Sequence, residues 1–282
     1  QKVEGLRGKH QRIWLLIDGV YSMHGDYPPL QEIVKLLDEY KQLHLYVDDA
    51  HGMTWAGENG VGYVRSQIAH HDKMVLATSM NKAFAGAGGV LVFPNEEMEQ
   101  EVRNCGGTLS FCGPIQPPML GACIASAKLQ LSDKLPQLQQ ELQERIAYVN
   151  QRLIELGIPQ FDQNTSPTFF IPAGTYRPIC NVIGRMIKRG YYLNAAGFPA
   201  APMNRGGLRI TVTTNLSYAQ IDGFLEALLE EYPAGLAEEG VTLEYLARKF
   251  NLPPIELKQP QQQEPTALTM RVHRRIAALD AA

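Results

Sequence analysis

Three short apolar runs in this chain each end in residues capable of chemistry. Ile13-Trp14-Leu15-Leu16-Ile17 runs into Asp18, and Leu45-Tyr46-Val47 runs into Asp48-Asp49-Ala50-His51-Gly52. Met74-Val75-Leu76-Ala77 runs into the stretch Ser79 to Gly89, which carries Lys82 among small residues and is followed by Val90-Leu91-Val92-Phe93. Between the first two runs, Pro28-Pro29 introduces Leu30, Ile33, Val34, Leu37 and Tyr40 at helical spacing. Strand, helix and strand therefore alternate, which argues for right-handed βαβ units and an α/β fold with a mostly parallel sheet. The first run is apolar throughout and reads as a strand buried on both faces. Ligands of such sheets sit beyond the carboxyl ends of the strands. Aspartate, Asp/His and lysine are all expected there.

The remainder reads as follows. Glu96 to Asn104 is a short charged helix, Cys105 to Gly113 a loop, and Pro117-Pro118 opens a helical region. From Pro136, Leu138, Leu142, Ile146, Val149, Leu153 and Leu156 mark one face of a long helix that Gly157 stops. It connects the first domain to a smaller α+β domain. There, Thr168 to Ile171 and Tyr191 to Leu193 are strand candidates, and Ile179 to Arg189 is a helix. Leu208 to Thr213 alternates at period 2, Ser217 caps a helix, and Thr242 to Phe250 is another helix. Residues 253–265, rich in proline and glutamine, read as a linker, and 266–280 as a weak basic amphipathic helix. The expected domains are 1–133, the C-terminal part of a large cofactor domain; 134–233, the smaller domain with its connecting helix; and 234–282, an extension.

Composition excludes several classes. A net charge of −3 gives no general attraction to nucleic acid or anionic membrane, and no apolar run reaches bilayer length. Cys105, Cys112, Cys123 and Cys180 form no C-x-x-C pair, so reduced thiols and no metal site are expected. With no signal peptide, the cytoplasm is the default. The chain opens on Gln1 and reaches a strand by Trp14, so it reads as the remainder of a longer protein.

Glycine lets backbone and ligand approach closely. A lysine held away from water can lose its proton and attack an aldehyde. Lys82 is therefore expected to carry pyridoxal phosphate as a Schiff base. Such a cofactor also needs a carboxylate for its pyridine nitrogen, a donor for its ring oxygen, and groups for its phosphate. Asp48, following an apolar strand, is expected to be poorly solvated and suits the first role. His51 suits the second, and Ser22 and Ser79 are hydroxyl candidates for ring and phosphate. Asp49 lies across the pleat and reads as a turn-capping residue. Arg209, within an alternating strand, offers a planar fork for a substrate carboxylate if it points inward, and otherwise faces solvent.

Together these residues resemble the α-oxoamine synthase family of fold-type I pyridoxal-phosphate enzymes, over roughly residues 13–232. Asp18 to Asp26 (DGVYSMHGD) is similar to the family's D/E-G-V-F-S-M-D-G-D, with His24 where aspartate is usual. Val47 to Gly52 (VDDAHG) is followed by Gly57-Glu58-Asn59-Gly60; Ser79 to Phe84 (SMNKAF) resembles T-F-x-K-x-F, and Leu208 to Thr211 (LRIT) the late L-R-L-T strand. Phe111 to Pro118 matches the family's Y/F-S-T-S-x-P-P segment only loosely. The resemblance implies that Lys82 forms the Schiff base, Asp48 pairs with the pyridinium, His51 and Ser22 surround the ring oxygen, Ser79 contacts phosphate and Arg209 binds the amino-acid carboxylate. It implies condensation of an amino acid with an acyl-CoA, usually with decarboxylation, in a homodimer with its site at the subunit interface. It also implies that the first third of a family member is absent, leaving this polypeptide alone a poor catalyst. The alternatives are an aminotransferase or lyase of the same fold and a degenerate partner subunit; retention of Lys82 argues against the latter.

Overall fold

The computed structural model describes residues 2–163, 165–258 and 270–271. In chain order the elements are α1 (Lys2–Leu6), β1 (Ile13–Asp18), α2 (Leu30–Glu39), β2 (Leu43–Asp48), α3 (Tyr63–Gln67), β3 (Met74–Ser79), β4 (Gly89–Val92), α4 (Glu96–Cys105), α5 (Gly107–Phe111), α6 (Pro117–Gln130), α7 (Lys134–Leu156), β5 (Thr168–Gly174), α8 (Tyr176–Lys188), β6 (Asn194–Ala196), β7 (Gly206–Thr211), α9 (Tyr218–Glu238) and α10 (Leu243–Phe250). The chain forms two compact units, Gln1–Ser22 with Tyr27–Gln139, and Met23–Asp26 with Gln140–Ala282.

In the first unit, β1, β2 and β3 are parallel neighbours and β4 adds antiparallel to β3. Leu30, Ile33 and Leu37, three and four residues apart, line one face of α2. They pack with Leu43, Leu45, Val47, Val64 and Ile68 into a core on one side of the sheet. The opposite side of β1 departs from expectation. Trp14 and Leu16 are 38% and 69% exposed, so β1 is buried on one face only. Period-2 alternation turns Ile13, Leu15 and Ile17 toward the core cluster. Trp14 and Leu16 instead line an open groove with Met98 and Val102 of α4. Cys105 to Gly113, read as loop, holds the single helical turn of α5, which buries no residue.

In the second unit, β5, β7 and β6 form an antiparallel sheet in the order β5-β7-β6. All seven residues of β5 are buried, and Phe169, Phe170 and Ile171 share a core with residues from α7, α8, α9 and α10. Ser217 opens α9 with a full capping box: its hydroxyl accepts the Gln220 N–H, and the Gln220 side chain accepts the Ser217 N–H. Two otherwise unpaired donors are satisfied there, so Ser217→Ala is expected to lower stability by about 1 kcal/mol in urea unfolding.

Two details of this unit differ from the sequence reading. The short strand is Asn194–Ala196 rather than Tyr191 to Leu193; Tyr192 is 81% exposed and the Tyr191 ring packs edge-on against Phe224. Residues 234–258 do not form a separate extension: α9 runs through Pro233 to Glu238, and Leu246 and Phe250 of α10 lie in the core. The first division falls at Gln139/Gln140, within α7, and Met23–Asp26 joins the second unit. The proposed linker beyond 258, and the proposed 266–280 helix apart from residues 270–271, lie outside the described residues.

Candidate active site

Strand register builds the site. Asp18 of β1 is paired with Asp48 of β2, and Asp48 with Ala77 of β3. Parallel pairing thus aligns the carboxyl ends of three strands, and the segments after them carry Ser22, His51 and Lys82. All five expected cofactor residues (Ser22, Asp48, His51, Ser79, Lys82) belong to the first unit.

The lysine turn is held by its backbone. Met80 N–H donates to Gly88 O at 2.9 Å, Gly86 N–H to Met80 O at 2.7 Å, and Ala85 N–H to Lys82 O at 2.9 Å. Ala85 and Gly88 have positive φ, 57° and 93°, which closes the loop tightly. Phe84 anchors the turn inward at 7% exposure. Gly86 lies against Cys123 of α6, leaving no room for a Cβ. The Lys82 side chain differs from expectation: it is exposed rather than held away from water, because the turn buries Phe84 instead. The Ser79 hydroxyl donates to Asn81 Oδ1 within the same turn.

Asp48 differs from expectation: it is exposed rather than poorly solvated. Its Oδ1 accepts the Ala50 N–H at 2.8 Å, which fixes the carboxylate at the strand end. The neighbouring Asp49 is the buried member of the pair, at 1% exposure. The pleat places the two on opposite sides, as read; which side is buried is decided by loops distant in sequence. His51 is half-buried, and its carbonyl accepts the Trp55 indole N–H at 2.6 Å.

Asp18, expected at the ligand end of the sheet but given no cofactor role by the sequence, joins this group. Burial raises its carboxyl above the ordinary range; the Asp48 charge adds to this, and Lys82 counters it. Asp18 therefore feels the charges of both Asp48 and Lys82.

Arg209 lies in the second unit. It occupies β7 between Phe170 of β5 and Asn194 of β6, and burial lowers its pKa. With Asn194 and Gln220 it lines a largely apolar cavity of ≈ 320 Å³ that also contains Tyr191 and Phe224. His24 also belongs to this unit. Its ring packs against Phe161 and Phe170 at 4.3 and 4.5 Å between centroids, and burial lowers its pKa against the pull of Asp26. Among the described residues, no group of three or more His, Cys, Asp or Glu side chains could hold a metal. No described helix is long and apolar enough to cross a membrane.

The class I and II aminotransferase family model matches residues 2–228. This chain belongs to that family. A protein named putative 8-amino-7-oxononanoate synthase, from Desulforudis audaxviator, is 32% identical over 218 residues, covering 77% of this chain and 55% of the relative. Serine palmitoyltransferase 2 of Schizosaccharomyces pombe is 31% identical over 230 residues, covering 77% and 37%. Among solved structures, a serine palmitoyltransferase from S. paucimobilis with a bound PLP–myriocin aldimine superposes with a TM-score of 0.70 at 21% identity, covering 85% of this chain and 59% of that one. The fold is therefore the fold-type I transferase fold, and the relatives carry the names of α-oxoamine synthases, as the motifs implied. The chain spans about half the length of the curated relatives it matches.

Proposed function

We propose that the protein containing this chain is a pyridoxal-phosphate-dependent enzyme of the α-oxoamine synthase type, joining an amino acid to an acyl-CoA thioester. The observation that carries this reading is the register of Asp18 with Asp48 beside the closed Lys82 turn. The donor set suits the cofactor. Lys82 offers an exposed amine for its aldehyde, Asp48 an oriented carboxylate for its pyridine nitrogen, His51 and Ser22 polar contacts for its ring oxygen, and Ser79 a hydroxyl for its phosphate. Bound there, the cofactor would supply an electron sink for the bond broken at the amino-acid Cα.

The chain's own residues then have separate tasks. Asp48 is held by the Ala50 N–H in one orientation, so it need not reorganise when a cation pairs with it. Lys82 is the proton carrier at Cα, on a turn whose geometry does not depend on its side chain. Arg209 is the carboxylate clamp for the amino acid, its planar fork partly withdrawn from water. Homodimerisation and loss of CO2 accompany the same reading.

The full-length protein, given pyridoxal phosphate, is expected to develop a visible absorption band. Screening amino acids against acyl-CoA thioesters should then release free CoA. Amino-group transfer without CoA release would replace the synthase reading with that of an aminotransferase. No visible band would sink the cofactor assignment. Arg209→Ala is expected to raise KM for the amino acid by about 10–100-fold with a smaller change in kcat, because it removes a charged hydrogen-bond pair of about 1.5–3 kcal/mol. An unchanged KM would remove Arg209 from the site.

A further inference from the structure

Asp49 is a buried carboxyl to which the cofactor chemistry assigns no task, and its neighbours come from β3, α3 and the segments that follow β1 and β2. Oδ2 accepts the Val64 N–H at 2.9 Å, from α3. Its backbone N–H donates to Ala77 O of β3 at 2.8 Å, and its carbonyl accepts the N–H groups of Gly52 and Met53, each at 3.0 Å. Gly19, Gly52 and Gly62 wall the carboxyl, and a Cβ on any of them would collide with an Asp49 oxygen. Gly19 follows Asp18 and leads to Ser22, Gly52 follows His51, and Gly62 caps α3. Gly19 N–H also donates to Asp48 O at 2.7 Å. Oδ1 has no hydrogen-bond partner among the described residues.

We propose that Asp49 is the positioning residue of this site, the packed carboxyl that sets the 18–22, 48–52 and 62–64 segments against one another and so aims Asp48, His51 and Ser22. This rests on reading the site as a pyridoxal-phosphate site. The geometry explains why an aspartate stands there. The Val64 N–H needs an acceptor, and the three glycines leave room for this side chain's volume and no more. Alanine would leave both a void and a buried donor without its partner.

A second property follows from the same burial. Loss of solvation pushes the Asp49 carboxyl up to about 7; the Asp48 charge adds to this, and the Val64 and Tyr63 N–H groups oppose it. The titratable groups around it are Asp48 and His51 on its own turn, Asp18 next to Gly19, and Tyr63 on α3, whose phenol is itself raised by burial and by Asp49. β3 contributes Ala77 and Thr78, which carry no charge. A pKa raised on folding gives stability that is fully present below the unfolded value of 3.8 and is lost as pH rises through about 7. Asparagine keeps the shape and the acceptor but cannot ionise.

The test uses the full-length protein with added pyridoxal phosphate, comparing wild type, D49N and D49A, with Lys82→Ala as control. Cofactor affinity is read from visible absorbance, fold from far-ultraviolet circular dichroism, and the urea midpoint is followed from pH 5 to pH 8. D49A is expected to weaken cofactor binding by about 10-fold or more, since a buried donor left without its partner costs about 1–3 kcal/mol and frees the segments that hold the cofactor groups. D49N is expected to bind as wild type at pH 6 and to lose the wild-type fall in affinity and urea midpoint as pH rises through about 7. D49A binding as wild type overturns the positioning role alone. If D49A does not fold, wild-type cofactor binding in Gly52→Ala, whose Cβ would displace the Asp49 carboxyl, overturns it. A wild type without a Lys82-dependent band overturns the cofactor reading and the positioning role with it.

Discussion

Lys82→Ala in the full-length protein is expected to abolish the visible band formed with pyridoxal phosphate and to lower CoA release by about 10⁴-fold or more. A positioned proton carrier alone is worth about 10²–10⁴-fold, and the same side chain is proposed to hold the cofactor covalently. The variant should remain folded. Three backbone hydrogen bonds close the turn, Met80 with Gly88, Gly86 with Met80 and Ala85 with Lys82, and the side-chain bonds within it join Ser79 to Asn81. The buried anchor is Phe84, and the Lys82 side chain is exposed. An exposed side chain outside such contacts changes stability by no more than about 0.5 kcal/mol. Unfolding in urea should therefore be unchanged while the band is gone. A band that persists in Lys82→Ala sinks the central assignment. A variant that loses the band only because it unfolds would refute the claim that the turn is built by backbone. Lys82→Arg sharpens the comparison, since arginine keeps the charge felt by Asp18 but cannot take the nucleophilic role.

The parts of the site that were legible in the sequence are those fixed by short-range pattern. Apolar runs ending in Asp18, Asp48 and Ser79 became strands β1, β2 and β3 ending at those residues. Ser217 and Thr242 became N-caps because their hydroxyls meet N–H groups three residues on. What could not be read depends on residues far apart in the chain. Of the adjacent aspartates, Asp48 is exposed and Asp49 buried because Gly19, Gly62 and Val64 close over the latter. The spacing of those glycines was the available signal, and it carries meaning only once the loops are folded together. Asn194–Ala196 was missed for a related reason. Its small side chains give no strand pattern, and what makes it a strand is its register with β7, Ala195 opposite Leu208. Tyr191 and Tyr192 have high strand propensity, yet the first is held by Phe224 and the second faces solvent. β1 failed differently: five consecutive apolar residues do not say how many layers cover them.

Phe170→Ala is expected to cost about 3–5 kcal/mol, the usual range for deleting a buried aromatic ring. Phe170 is 1% exposed at the centre of β5. Its ring meets His24 at 4.5 Å, Phe161 at 6.0 Å and Phe250 at 6.3 Å between centroids. The void would be hard to refill. The ring lies over Gly207 of β7, where an added Cβ would come within 2.6 Å of it, so at that position the facing strand offers backbone only. His24, Phe161 and Phe250 are rings held by their own segments, which limits collapse around the void. The same residue is the register partner of Arg209. Loosening β5 against β7 should therefore weaken amino-acid binding through Arg209 as well as lower stability. Phe170→Leu, which keeps most of the volume, should recover most of both losses. Urea midpoints report the first effect and KM for the amino acid the second. A loss below about 1 kcal/mol for Phe170→Ala would show that this cluster can repack, and Arg209 would then have to be held by some other means.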